Sequence, residues 1–255
     1  MLKIFIDPGH GGTDPGAMAN GLLEKYLTLA ISLKIKSLLS QYENVQVKLS
    51  RETDKYLSLS ARAKLANAWG ADYFMSIHIN AGGGTGFETF IHTNASNASV
   101  ANQNVIHPEI LIPLGFKDRG KKRANYLVLR ETKMPTILTE NGFIDNASDA
   151  AKLKQTDFID KIAQGHVNGL VKAFGLKKKA QSTQPKKQPN TPERKLSGMK
   201  PNWKDWQWKE AAEIYKKARV KGILSSDEWE KKAAAKNLTF DEIEYLNLVL
   251  NGRLL

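Results

Sequence analysis

Not one of the 255 residues is a cysteine. Disulfide staples and thiolate metal sites are therefore excluded, and any bound metal must draw on histidine and carboxylate ligands. No apolar run approaches the roughly 18 residues that a membrane-spanning helix needs. Nor does the beginning read as an export leader. A β-type run starts at Leu2, with no basic region and no separate apolar stretch before it, so the expectation is synthesis in the cytoplasm without a signal peptide. Aromatic residues make up only 8%, and four of the five tryptophans lie beyond residue 200. Acidic residues are in deficit, with 38 Lys and Arg against 26 Asp and Glu. The deficit is local: residues 1–175 hold 20 basic and 16 acidic side chains, 176–200 hold 8 and 1, and 201–255 hold 10 and 9. A short charged segment fits a tether attracted to a polyanion better than a shaped nucleic-acid site.

What is present alternates between the two regular periods. Ile4, Phe5 and Ile6 form an apolar β-type run, which Asp7, Pro8, Gly9, Gly11 and Gly12 break around His10. A helix is expected over about 22–41, where Leu27, Ile31, Ile35 and Leu38 form one stripe and Leu22, Tyr26, Leu29 and Leu33 a second. Val45, Val47 and Leu49 alternate as a half-buried strand. Leu59 to Trp69 reads as a helix closed by Gly70. Tyr73–Ile79, Phe87–His92, Tyr126–Leu129 and Thr136–Thr139 read as strands. Residues 94–116 suggest a helix and a loop, and 158–174 a helix that closes the domain. Such alternation defines an α/β layered fold over residues 1–176. Lys177 to Lys200 lacks an apolar period and reads as a basic flexible linker. Residues 201–255 read as a small all-α module. Ala211, Ile214, Tyr215 and Ala218 share a helix face that Gly222 ends. Ser225 or Ser226 caps a helix carrying Trp229, and Thr239 with Glu242 boxes a last helix bearing Ile243, Leu246 and Leu250. Its tryptophans have two readings: the small core of the module, or exposed rings that bind glycan.

Four side chains stand out at strand ends or helix starts: His10, Glu24, His78 and Glu140. In open α/β sheets, ligands bind where strands end. Two histidines and one carboxylate, with a fourth position left for water, form the donor pattern of catalytic zinc. Zinc lowers the pKa of water from ~15.7 to about 7, and a second carboxylate can then move the proton. Each residue also has an ordinary explanation. Glu24 suits a helix N-terminus, His78 shares a polar strand face with Ser76 and Asn80, and Glu140 can cap the Asn141-Gly142 turn. Spacing alone does not link the four. His92, His107 and His166 read as structural.

Seven motifs nevertheless occur in order: FIDPGHGG (Phe5–Gly12), NGxxE (Asn20–Glu24), SR-x-TD (Ser50–Asp54), SIHINA (Ser76–Ala81), GFE (Gly86–Glu88), VLRETxMP (Val128–Pro135) and LTENGFIDN (Leu138–Asn146). Together they resemble the type-3 family of zinc-dependent N-acetylmuramoyl-L-alanine amidases, over about residues 1–175. Within it the chain is similar to the amidases that lyse the sporulating mother cell and to phage endolysins. The resemblance implies a mixed sheet flanked by helices. It implies Zn²⁺ on His10, Glu24 and His78, and Glu140 as the catalytic carboxylate. Asn80 is a candidate substrate contact, and Arg119, Arg123 and Arg130 are candidates for the peptide's carboxylates. The implied activity is hydrolysis of the amide between N-acetylmuramic acid and L-alanine in peptidoglycan. Two alternatives stay open: a zinc peptidase cutting within the stem peptide, and a non-catalytic cell-wall-binding protein. The expected partners are peptidoglycan and, through the basic linker, anionic wall polymers, with no nucleic acid; the expected state is a monomer. An unexported wall hydrolase would reach its substrate after holin release or cell lysis.

Overall fold

The computed structural model describes residues 1–179, 204–220 and 227–238. The chain forms two compact units, Met1–Ala180 and Gln181–Leu255. In chain order the first unit contains β1 (Leu2–Pro8), the short pair β2 (Met18–Ala19) and β3 (Leu22–Leu23), α1 (Glu24–Leu39), β4 (Val45–Leu49), α2 (Leu59–Trp69), β5 (Tyr73–Asn80), β6 (Phe87–Ile91), α3 (Asn97–Leu111), β7 (Asp118–Arg123), α4 (Leu127–Glu131), β8 (Thr136–Phe143), α5 (Ala147–Leu153) and α6 (Thr156–Phe174).

Six strands form one sheet in the order β4-β1-β5-β8-β6-β7. The first four run parallel, β6 is antiparallel to β8, and β7 is parallel to β6. The sheet is therefore mixed and flanked by helices, as the motifs imply. Strand alternation gives its two faces different partners. Ile4 and Ile6 of β1 and Tyr73, Met75, Ile77 and Ile79 of β5 enter a large core with Ile31 and Ile35 of α1, Ile106 of α3, and Ile162 and Leu170 of α6. Phe5 and Phe74 face the other way, into a smaller core with Ala66 of α2, Val128 and Leu129 of α4, and Leu138. Beyond those rings, Asp7, Ser76, His78 and Glu140 continue the second face toward the ends of the parallel strands.

Three local expectations are corrected, and one strand appears where none was expected. Tyr126–Leu129 is no strand: Tyr126 precedes the short helix α4. Its Val128 and Leu129 are adjacent yet both buried, which a one-sided strand cannot achieve but a helix lying on the second core can. Asp118–Arg123 is a strand although it has no apolar alternation. Backbone pairing to β6 suffices at a sheet edge, where charges also discourage further strands from adding. β8 continues past Thr139 to Phe143, so Glu140 lies within a strand and caps no turn. The first helix starts at Glu24, because Leu22 and Leu23 pair with β2. A helix not anticipated, α5, starts where the Asn146 side chain accepts from the amides of Ser148 and Asp149.

In the second unit, α7 (Asp205–Val220) and α8 (Glu228–Ala234) pack together. Trp208, Ala211 and Tyr215 lie one helical turn apart on α7 and are buried, as are Ala233 and Leu238. Lys236 pairs with Asp205 at 2.6 Å. Trp229 is carried by α8 as expected. The expected Gly222 stop, the Ser225/Ser226 cap and the last helix with Ile243, Leu246 and Leu250 lie outside the described residues. Among the described residues no helix is long and apolar enough to cross a membrane.

Candidate metal centre and active site

From β1 the chain passes through α1 to β4 on one side, then returns through α2 to β5 on the other. A crevice opens where successive connections leave a parallel sheet in opposite directions, outside the strands' carboxyl ends. His10 follows β1 and His78 lies near the end of β5, so both border that crevice. His10 adopts a left-handed backbone, φ 62°, and Gly11 and Gly12 follow at 128° and 59°. The turn is tight enough that a Cβ on Gly9 would stand 2.3 Å from Cε1 of His78.

Glu24, the first residue of α1, reaches into the same space. Its Oε2 lies 3.1 Å from Nε2 of His10 and its Oε1 2.9 Å from Nδ1 of His78. The same two oxygens accept backbone N–H bonds from Ala17, at 2.9 Å, and Ile79, at 3.0 Å. One donor atom from each of His10, Glu24 and His78 lies within 4.8 Å of the others, close enough to share one metal ion. Burial alone would raise the Glu24 carboxyl, but its bonds with His10 and His78 outweigh this and hold it well below the usual carboxylate range. Burial likewise works against protonation of His10, and Glu24 and then Asp14 overcome it, raising that imidazole. Asp14 stands 2.9 Å from Nδ1 of His10. A carboxylate on the outer nitrogen fixes which nitrogen faces the site.

Glu140 sits beside this group, opposite His78 on β5 and Glu88 on β6 in the strand register. Its Oε2 is buried and has no hydrogen-bond partner among the described residues. Burial, then the charges of Glu24 and Glu88, push its carboxyl well above the usual range. The β5–β8 register slips between His78 and Asn80, a bulge of the kind that re-aims side chains at functional sites. Asn141 steadies it by donating to the His78 carbonyl at 3.0 Å.

A cavity of about 380 Å³ joins His10, Glu24, His78, Asn80 and Glu140, with Ile79, Tyr126, Leu127, Val128 and Leu138 among its apolar walls. Asn80 thus lies on the cleft, its amide donating to Glu88 at 2.7 Å. Arg119 and Lys122 hold the other oxygen of Glu88, and Arg119 lies over the Phe143 ring. Arg123 donates to the Thr93 carbonyl. Arg130 is exposed, donates to Asn125 at 2.8 Å and is not among the cleft-lining residues. His107 is spent on Thr89 and Asp118, His166 on Thr139 and Ile162, and His92 on Asn125. Sequence reasoning missed Asp14, four residues after His10, and Arg62, which donates to the His10 carbonyl at 2.6 Å.

Two imidazoles and an ionised carboxylate suit a zinc-type ion, and the partnerless oxygen of Glu140 suits a group that serves a reactant. A cleft of this kind, at the switch point of an α/β sheet, is where an enzyme of the α/β class binds its ligand, and its donor set could hold a metal ion. Comparison with known proteins narrows the class. The family described as N-acetylmuramoyl-L-alanine amidase matches residues 4–172. The N-acetylmuramoyl-L-alanine amidase CwlM of Bacillus licheniformis is 58% identical over 181 residues, 71% of this chain and 72% of its own length. The endolysin of Bacillus phage SPP1 is 44% identical over 223 residues, 84% of this chain and 80% of its own length. Among solved structures, the catalytic domain of the amidase CwlV from Bacillus (Paenibacillus) polymyxa superposes with a TM-score of 0.67 at 37% identity, covering 69% of this chain and 100% of that one. The chain belongs to the type-3 N-acetylmuramoyl-L-alanine amidase family. It is a peptidoglycan hydrolase that cleaves the amide between N-acetylmuramic acid and L-alanine. The endolysin match covers more of the chain than Met1–Ala180 can supply, so that likeness extends beyond the first unit.

Proposed function

We propose that amide cleavage takes place in the cleft of His10, Glu24, His78 and Glu140, with Zn²⁺ held by the first three and Glu140 carrying the proton. The observation behind this reading is the meeting of two imidazole nitrogens on the two oxygens of one buried carboxylate. Bound zinc would supply Lewis acidity, polarising the scissile carbonyl and lowering the pKa of water from ~15.7 to about 7. Asp14 and the Ala17 and Ile79 amides keep the ligand atoms facing inward. Glu140 takes the proton of the attacking water as its oxygen bonds to the carbonyl carbon. When the C–N bond breaks, Glu140 returns that proton to the departing L-alanine nitrogen. Burial, which raises its carboxyl, favours the protonated form that the second step needs. Asn80, on the cleft wall, would contact the substrate, whereas Arg130 could meet only a portion extending past the cleft.

The segment 177–200 would add attraction to anionic wall polymers, an interaction that salt screens. The module from 201 would bind wall, in line with the longer likeness to an endolysin, and the protein would act as a monomer. Digestion of purified wall is the test. Fresh L-alanine amino termini with intact glycan, lost to a zinc chelator and restored by zinc, are expected. New amino termini elsewhere in the stem, or activity surviving complete metal removal, would overturn the reading.

A further inference from the structure

The Ser50–Asp54 motif contributes no residue to the cleft, and the chemistry above gives it no part. Its side chains, with that of Arg62, instead converge on the back of the His10 turn. We infer that Arg51 and Arg62 are positioning residues that hold this turn in its ligand-presenting shape by occupying the carbonyls of three successive residues, Pro8, Gly9 and His10.

Arg62 is only 1% exposed. Its Nη1 donates to Pro8 O at 2.6 Å and to Asp7 Oδ1 at 2.9 Å, its Nη2 to His10 O at 2.6 Å, and its Nε to Leu57 O at 3.1 Å. Arg51, 3% exposed, approaches from the other side. Its Nε donates to Pro8 O at 3.2 Å and its Nη2 to Gly9 O at 2.8 Å and Lys25 O at 2.7 Å. Thr28 completes Gly9 O with a hydroxyl bond of 2.8 Å. Ser50 donates to Asp7 at 2.6 Å, which anchors the Arg62 fork. Asp54 accepts the Gly12 amide at 2.6 Å and pairs with Lys25. Every side chain of the motif except those of Glu52 and Thr53 is thereby assigned to the turn.

The need is physical. Three left-handed residues in a row leave the turn without a regular ladder, so its buried carbonyls require other donors. A left-handed backbone at His10, a residue with a Cβ, persists only where its surroundings fix it. A guanidinium donates in several fixed directions at once, which an ammonium cannot reproduce. The two arginines sit side by side beneath a site that takes a cation, an arrangement that Asp7 and the carbonyl dipoles offset.

The inference rests on His10 being a ligand, and the test separates the two. Zinc affinity is measured on the full chain by chelator competition. Amide exchange of Gly11 and Gly12 is measured on the metal-free chain. Arg51→Lys and Arg62→Lys are expected to weaken zinc binding roughly 10- to 100-fold, as loss of ligand-orienting partners does, to lower kcat more than they raise KM, and to speed exchange at both amides. Thr28→Val, near-isosteric and free of charge changes, should shift the same readouts less; it decides the matter if an arginine variant fails to fold. Folded variants that bind zinc within about twofold of the parent, with unchanged exchange, overturn the inference. A parent chain that binds no zinc overturns the metal reading instead, and the exchange rates alone then decide the clamp.

Discussion

Oε2 of Glu140 is buried beside the donor cluster without a hydrogen-bond partner among the described residues. Leaving a buried polar atom unpaired costs on the order of 1–3 kcal/mol, a cost that the proton-carrying role proposed for Glu140 would offset. Glu140→Gln keeps the shape and removes the proposed proton carrier. Turnover is expected to fall roughly 10²- to 10⁴-fold, with zinc content by metal analysis unchanged; unchanged turnover would exclude the role. Gly9 is constrained in the opposite sense, by space. A methyl there would stand 2.3 Å from the His78 ring, so Gly9→Ala should displace that imidazole. Metal content should drop while far-ultraviolet circular dichroism stays native.

Among the elements, α6 is fastened to β8 by a histidine. His166 is fully buried between the Thr139 hydroxyl, at 3.0 Å, and the Ile162 carbonyl, at 2.8 Å. Burial pushes its pKa down to about 4, whereas the unfolded chain has the ordinary value of about 6.5. Between those limits the unfolded chain holds a proton that the native one refuses. The stabilisation is therefore complete above about pH 6.5 and is lost as pH falls toward 4, by up to about 3 kcal/mol. His166→Gln can keep both hydrogen bonds without titrating. Urea unfolding of parent and variant across this range should show the variant's stability falling less steeply, and parallel curves would refute the assignment. The register slip in β5–β8 belongs to this scale as well. It lies between His78 and Asn80, both of which line the cleft, and no periodicity in Tyr73–Asn80 announces the slip.

At the scale of the whole molecule, charge and chemistry are segregated. The residues proposed to carry out catalysis all fall within Met1–Ala180, while the basic excess lies in residues 176–200. A chain ending at residue 179 is expected to fold and to cleave soluble muropeptides at the parent's rate. It should clear intact wall more slowly, and its clearing should depend less on salt, since screening weakens attraction between exposed charges. Turbidity assays at low and physiological ionic strength check this; equal salt dependence in the two chains would show the basic segment to be a bystander.

The sequence by itself determined the α/β class, the stripe of Leu27, Ile31 and Ile35 that buries one side of α1, the glycine break around His10 and the ordered motifs that mark the family; the second expected stripe fails, since Leu22 pairs in β3 and Leu33 is exposed. These are local periodicities and residue types, which the chain carries without folding. Only the tertiary structure decided that Val128 and Leu129 coil into a helix on the second core, that the charged run Asp118–Arg123 becomes an edge strand, and that Arg130 stays outside the cleft. It also decided the meeting of His10, Glu24 and His78, and the use of Arg51 and Arg62 beneath them. Such outcomes depend on which distant backbone groups lack a partner once the sheet has formed, a quantity that no window of sequence contains.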